Sequence, residues 1–181
     1  MNKRETLFFS QLCIMTKANY LNNLFESLIG TNNLSIPSKT ILLEEGKIAD
    51  RLYLIRKGCL RLFFYNEGKD ITFQFFFEGD FVASFDSLYR RKPSLFSLES
   101  IEPTEVSTIK RDDFYHLIEQ TPSLKQIYEE KLIDRFHVYQ QLFLSRIKNT
   151  PQQRYEELLK DDPDIIHRGP PHYIASSLGI P

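Results

Sequence analysis

Cysteine is scarce in this sequence of 181 residues: Cys13 and Cys59 are the only two, and neither belongs to a C-x-x-C pair. That excludes a disulfide framework, a cysteine-rich zinc site and a cysteine-held iron–sulfur cluster. An excess of one charge is missing as well. With 23 basic and 24 acidic side chains the formal net charge is −1, so no global positive field draws in a phosphate backbone and any DNA contact must be local. No apolar run approaches the ~18 residues that would span a membrane. Lys3 and Arg4 ahead of the mostly apolar Leu7 to Met15 imitate a secretion signal, but Ser10 and Gln11 interrupt the run and no small-x-small cleavage site follows. The expectation is a cytoplasmic protein with no membrane partner. Tryptophan is absent, yet 15 Phe and 9 Tyr supply large rings for a core, many of them between Phe63 and Phe85.

Enzyme chemistry finds little to work with. The four histidines, His116, His137, His167 and His172, all follow the last predicted strand, whereas a cupin-type barrel needs His and carboxylate ligands projecting from its strands. His137 reads as a surface residue of a helix rather than a haem ligand. Ser84 and Asp86 have no nucleophile elbow or oxyanion-hole glycines around them. No enzyme, metal site or cofactor is expected.

What the sequence does contain is a change of period. From Tyr20 to Ile29 the apolar residues recur at helical spacing, with Gly30 as a stop. Beyond Ser35 come short β-prone runs: Ile41 to Leu43, Leu52 to Ile55, Cys59 to Tyr65, Ile71 to Phe77 and Val106 to Ile109. Gly46, Gly58, Gly68 and Gly79 punctuate them, which favours a jelly-roll-like β-roll over βαβ units. Leu60, Leu62 and Phe64 alternate with Arg61 and Phe63, and Ile71, Phe73, Phe75 and Phe77 alternate with Thr72, Gln74 and Phe76, so one face of each strand is predicted to be core. Asn66 to Lys69 supplies a hairpin loop with Gly68 free for a positive φ.

After Lys110 the helical period returns, first over Arg111 to Glu119 and then over a long stretch opened by Thr121 as N-cap and Pro122 at the first helical position. Its apolar residues, from Leu124 to Ile147, are too many for one stripe. Such a helix must be buried on two sides, one against its own β-roll and the other against a second copy; a central core helix of a single domain is the alternative. Leu132, Phe136, Tyr139 and Phe143 are the expected dimer contacts. Pro151 starts a further helix, broken at Asp161 to Asp164. Tyr173, Ile174, Ala175 and Leu178 then form the first helix of a helix-turn-helix with Gly179 in the turn, and its second helix is not in the sequence.

The order of short helix, β-roll, long helix and partial helix-turn-helix resembles the Crp/Fnr family of bacterial transcription regulators. Glu45 to Gly58 is similar to the family's opening β-roll motif and Glu78-Gly79-Asp80-Phe81 to its second; the long helix and Tyr173 to Ile180 resemble members from Bacteroides-type bacteria. The resemblance covers roughly residues 20 to 181. It implies an α+β fold: an antiparallel β-roll with flanking helices, a long dimerisation helix and an incomplete C-terminal winged helix-turn-helix. The expected divisions are 1–19 of unknown role, 20–120 the effector domain, 121–150 the dimerisation helix and 151–181 the partial DNA-binding domain.

The family implies an effector held inside the roll against the long helix, around Phe81, Val82, Ala83, Ser84, Ser94, Leu95, Tyr139 and Gln140. Cyclic-nucleotide binders carry a Gly-Glu pair where this chain has Ala83 and Ser84, and an Arg-Ser pair where it has Ser94 and Leu95. Without that carboxylate and guanidinium, cyclic AMP is not the expected effector. Arg90, Arg91 and Lys92 lie nearby and suit either another anion or a solvated face. The reading is a homodimeric transcription regulator with an unidentified small-molecule effector, DNA being expected as a partner of a form that has a recognition helix and weak or absent for this chain. The alternative is a sensor or protein-interaction module that does not bind DNA.

Overall fold

The computed structural model describes residues 32–161 and 163–180; the expected helix Tyr20–Ile29 and the segment 1–19 lie outside them. Eight strands form two four-stranded antiparallel sheets: β1 (Asn33–Ile36), β8 (Thr104–Lys110), β3 (Arg51–Lys57) and β6 (Phe81–Val82) in one, and β2 (Ile41–Leu43), β7 (Ser97–Ser100), β4 (Leu60–Asn66) and β5 (Lys69–Phe76) in the other. The turns follow from their glycines. The β4–β5 hairpin closes through Glu67 and Gly68, both left-handed (φ 51° and 76°) as a two-residue turn of this hand requires. At Gly58 (φ 99°) a Cβ would come within 2.5 Å of Thr104 Oγ1, so the close approach as well as the turn demands glycine.

The run Leu52 to Ile55 is buried on both faces, which explains its lack of polar alternation. Leu52 and Leu54 pack with Leu88, Ile109, Phe114, Ile118 and Leu124 beneath the helices, while Tyr53 and Ile55 join Leu60, Leu62, Phe76, Leu98 and Val106 inside the roll. The predicted alternation of β5 fails halfway. A bulge opposite Leu62 and Phe63 inserts Phe73 as an extra residue, and the phase after it is reversed. Phe76 therefore enters the roll interior, and Phe75 and Phe77 turn to a third cluster with Cys59, Ile101, Ile165, Ile174 and Leu178. The outer face of β4 is also covered, because Arg61 and Phe63 are buried.

The helices are α1 (Phe85–Arg90), α2 (Arg111–Gln120), the long α3 (Pro122–Lys148), α4 (Pro151–Asp161), α5 (Pro163–Arg168) and α6 (Pro171–Ser177). Thr121 stands at the N-cap position of α3 with Pro122 in the first turn, but its hydroxyl makes no capping bond. Helices α5 and α6 fold back onto the second sheet. The Arg61 guanidinium lies 3.5 Å from the centre of the Tyr173 ring and 4.1 Å from that of Phe63 while pairing with Asp70 and Glu99. The Thr72 N–H donates to Ser176 Oγ (3.1 Å), and Arg168 bridges Glu78 and Glu102. Tyr173, Ile174 and Ala175 thus belong to α6, followed by Leu178 and by Gly179 with φ 69°. Among the described residues no helix is long and apolar enough to cross a membrane.

Candidate functional site

Strand β6 ends at Val82, and the chain turns through Ala83 and Ser84 into α1. Ser84 occupies the N-cap position of α1 without capping it, because its hydroxyl is engaged elsewhere: it hydrogen-bonds the Ser94 hydroxyl at 2.8 Å, with both residues buried. The loop that carries Ser94 is stitched to the β2–β3 connection. Gly46 N–H donates to Ser94 O and Ser94 N–H to Lys47 O, each at 2.8 Å. The Ser87 hydroxyl accepts from Ala49 N–H (2.9 Å) and donates to Lys92 O. Arg90 pairs with Asp86 and Arg91 with Asp112 on the surface, so this basic run is a solvated face. Leu95 is 70% exposed.

The roll approaches α3 through stacked rings. Phe96 stacks on Phe73 at 4.8 Å, Phe73 meets Tyr139 of α3 at 5.3 Å, and Phe64 closes on Phe96 at 6.1 Å. Burial pushes the Tyr139 phenol up from its ordinary value, against the opposing charge of Arg135. Arg135 ties the same helix to the second motif: it donates to Phe81 O (3.3 Å), lies 3.9 Å from Asp80 and stands over the Phe76 ring. Asp80 in turn accepts from Phe77 N–H at 3.0 Å.

The eight residues expected to surround an effector are therefore divided. Ala83 and Ser84 line a hollow of about 10 Å³, at the lower limit for a single water, Ser94 meets Ser84 through its hydroxyl, and Val82 is core. Tyr139 reaches the roll through Phe73, Gln140 is exposed on the far side of α3, and Phe81 lines a separate, open cleft of about 1010 Å³. That cleft runs along α3 between the roll and the C-terminal helices. The expected dimer contacts divide too. Phe136 and Phe143 are exposed on the outward face, whereas Leu132 and Tyr139 are partly covered, Leu132 lining the cleft and Tyr139 packing on Phe73. Phe96 and Arg135 had no place in the sequence reading, and Phe73 entered it only as a core residue of its strand.

Residues 33–121 match the sequence model described as "Cyclic nucleotide-binding domain". No curated protein matches the chain. Among solved structures it is similar to the catabolite activator protein of Thermus thermophilus (21% identity, TM-score 0.59, covering 89% of this chain and 76% of that one). It is also similar to FixK2 of Bradyrhizobium japonicum (15%, TM-score 0.70, 82% and 77%). A third is the c-di-GMP responsive global regulator CLP of Xanthomonas campestris (16%, TM-score 0.63, 77% and 70%). The eight strands and the first two helices are accordingly the part of the chain that matches the cyclic nucleotide-binding domain, and with the long helix they share the fold of these solved structures.

Proposed function

We propose that this chain is a homodimeric, effector-responsive transcription regulator of the Crp/Fnr type whose effector is not cyclic AMP. The observation that carries the effector half is the Ser84–Ser94 hydrogen bond. At these two positions a cyclic-nucleotide binder offers a carboxylate to the ribose and a guanidinium to the phosphate. Here two hydroxyls satisfy each other, and the adjoining hollow holds nothing larger than water. A buried phosphate without its guanidinium would be left uncompensated. One regulator with this fold, CLP, is described as responsive to c-di-GMP, so the roll is not tied to cyclic AMP.

The dimer half is supported by the second apolar face of α3, where Ile133, Phe136, Phe143 and Ile147 are each about two-thirds exposed. For DNA, α6 and the turn at Gly179 supply the bracing half of a helix-turn-helix, whose base contacts come from the helix after the turn. Residues 151–181 carry Arg154, Lys160 and Arg168 against Glu156, Glu157, Asp161, Asp162 and Asp164, which gives weak phosphate attraction.

Calorimetry with cyclic AMP and fluorescence anisotropy on a selected DNA pool test the two halves separately. The expected results are no saturable nucleotide binding, no specific operator binding by the 181-residue chain, and specific binding by a version carrying a second helix. A micromolar or tighter cyclic AMP constant, about −8 kcal/mol or better, would refute the effector assignment. Failure of the extended version to bind any sequence would favour the interaction-module reading.

A further inference from the structure

We infer that the open cleft along α3 is a binding site for an amphipathic organic anion, a hydrophobic chain or ring system ending in a carboxylate, with Arg146 and Arg154 holding the acid group. The inference deepens the effector part of the proposed function and rests on it for what binding would accomplish. The cleft is about 1010 Å³, at the upper end of small-molecule sites. Towards its C-terminal end the apolar part of the lining is Val138 and Leu142 of α3, Phe75 of β5, Leu158 of α4, Ile165 of α5 and Leu178, with Gln141, Ser145 and Asn149 beside them. At the mouth of this end two guanidinium groups converge on the last turn of α6. Arg146 donates to Ser177 O. Arg154 donates to Leu178 O through both Nε (2.9 Å) and Nη2 (2.6 Å), and to Asn149 O through Nη1 (2.7 Å).

Gly179 makes the convergence feasible, because a Cβ there would lie 2.5 Å from Arg146 Nη1 and 3.6 Å from Arg154 Nη2. Among the described residues neither arginine pairs with a carboxylate. The acid in the adjacent wall, Glu157, is already taken by Ser145 Oγ and Asn149 Nδ2, each at 2.6 Å. Desolvation and the neighbouring Arg154 charge both hold Arg146 below the ordinary guanidinium value, as expected of two cations with only carbonyl acceptors. A carboxylate fits this arrangement, since the planar fork of a guanidinium matches its two oxygens and, among the described residues, Arg146 makes only the bond to Ser177 O. The apolar part of the lining then takes the tail. The outward stripe of Ile133, Phe136, Phe143 and Ile147 lies on the opposite face of α3, so a coiled-coil dimer leaves the cleft open.

The test is calorimetric titration of the full chain with decanoate, using 1-decanol as the uncharged analogue of equal length and acetate as the tail-less acid. Decanoate is expected to bind once per chain, and decanol and acetate at least tenfold more weakly, a difference of about 1.4 kcal/mol. Arg146→Gln should lower decanoate affinity tenfold and leave decanol unchanged, Arg146→Lys should restore part of the loss, and Val138→Trp, which fills the cleft, should weaken both ligands. Circular dichroism checks that each variant is folded. Equal affinities for decanoate and decanol, an unaltered constant for Arg146→Gln, or no decanoate binding would each overturn the assignment. None of these measurements involves DNA, so failure here leaves the regulator reading standing, and a chain that binds decanoate while its extended form ignores DNA refutes the regulator reading alone.

Discussion

Replacing Phe136 by Asp should convert the proposed dimer to monomers without unfolding them. Ile133, Phe136, Phe143 and Ile147 are 68, 63, 65 and 66% exposed, and with Gln140 between them they repeat at alternating steps of three and four residues, the seam of a two-stranded coiled coil. A fully buried Ile or Phe is worth about 1.5–3 kcal/mol, so burying the exposed two-thirds is worth roughly 1–2 kcal/mol for each side chain. Eight such side chains across two helices contribute roughly 8–16 kcal/mol, against an association cost of about 4–15 kcal/mol. The margin is small, and one position decides it. The Phe136→Asp change in both copies removes roughly 2–4 kcal/mol of burial and adds the desolvation of two facing carboxylates, which weakens the dimer about a thousandfold or more. Phe136 belongs to none of the three packed clusters, so the monomer should keep its circular dichroism. Phe136→Leu, which suits the same seam, should stay dimeric. Sedimentation velocity reads the outcome directly, and a Phe136→Asp variant that remains dimeric at about 10 µM would show that the chains associate through another surface.

Arg61→Leu strands the buried Glu99 and half-buried Asp70 and should cost about 3–5 kcal/mol in urea unfolding, with a smaller loss in Arg61→Leu/Glu99→Gln; a single variant as stable as the parent would remove this cluster from the account of how α6 is held. Hydrogen bonding to Arg168, ahead of all other causes, pulls Glu78 from the usual 4.5 down to about 2. A depressed folded value means that its stabilisation is complete above about pH 4.5 and fades as the pH falls towards 2. Because Glu78 is 41% exposed, screening reduces the contribution to about 1 kcal/mol. Hydrogen exchange over residues 163–180 should therefore accelerate in acid for the parent and not for Glu78→Gln, and identical profiles would refute the link. Installing the missing charges as Ser84→Glu/Ser94→Arg should give no cyclic AMP affinity, because the hollow beside Ser84 is about 10 Å³ and the rings of Phe73, Phe96 and Tyr139 occupy the approach from α3; calorimetric binding by that variant would show that charge alone was lacking.

The roll was legible wherever local chemistry sets the conformation. Gly58 and Gly68 mark turns that need positive φ, Leu52 to Ile55 reads as a short β-prone run, and Thr121-Pro122 opens α3 where a proline can stand. Strand β7 was not legible, although it lies at the centre of its sheet with all four residues buried. Its sequence, Ser97-Leu98-Glu99-Ser100, reads as a polar loop because its partners are distant. Ser97 Oγ accepts from Glu45 N–H, Ser100 Oγ donates to Pro37 O, and Glu99 pairs with Arg61. Polar side chains become core residues when each finds a fixed partner, and no window of ten residues contains partners 38 to 63 positions away.

The same distinction governs the candidate site. Ala83, Ser84, Ser94 and Leu95 were found through short motifs, so the departure from the cyclic-nucleotide pattern could be read before any fold was known. The occupant of that space could not, because Phe73 reaches Tyr139 only after the bulge in β5 has fixed where each of its rings points. Strict alternation put Phe75 beside Phe73 on the core face, whereas the extra residue sends Phe75 out to Ile165, Ile174 and the wall of the cleft. One unpaired residue in an edge strand thus decides which phenylalanines close the roll against α3 and which line the space beside Arg146 and Arg154. A binding surface made in this way depends on the register of β5 as much as on the residues that line it, and a deletion that removes the bulge should alter the cleft before it alters the Ser84–Ser94 pair.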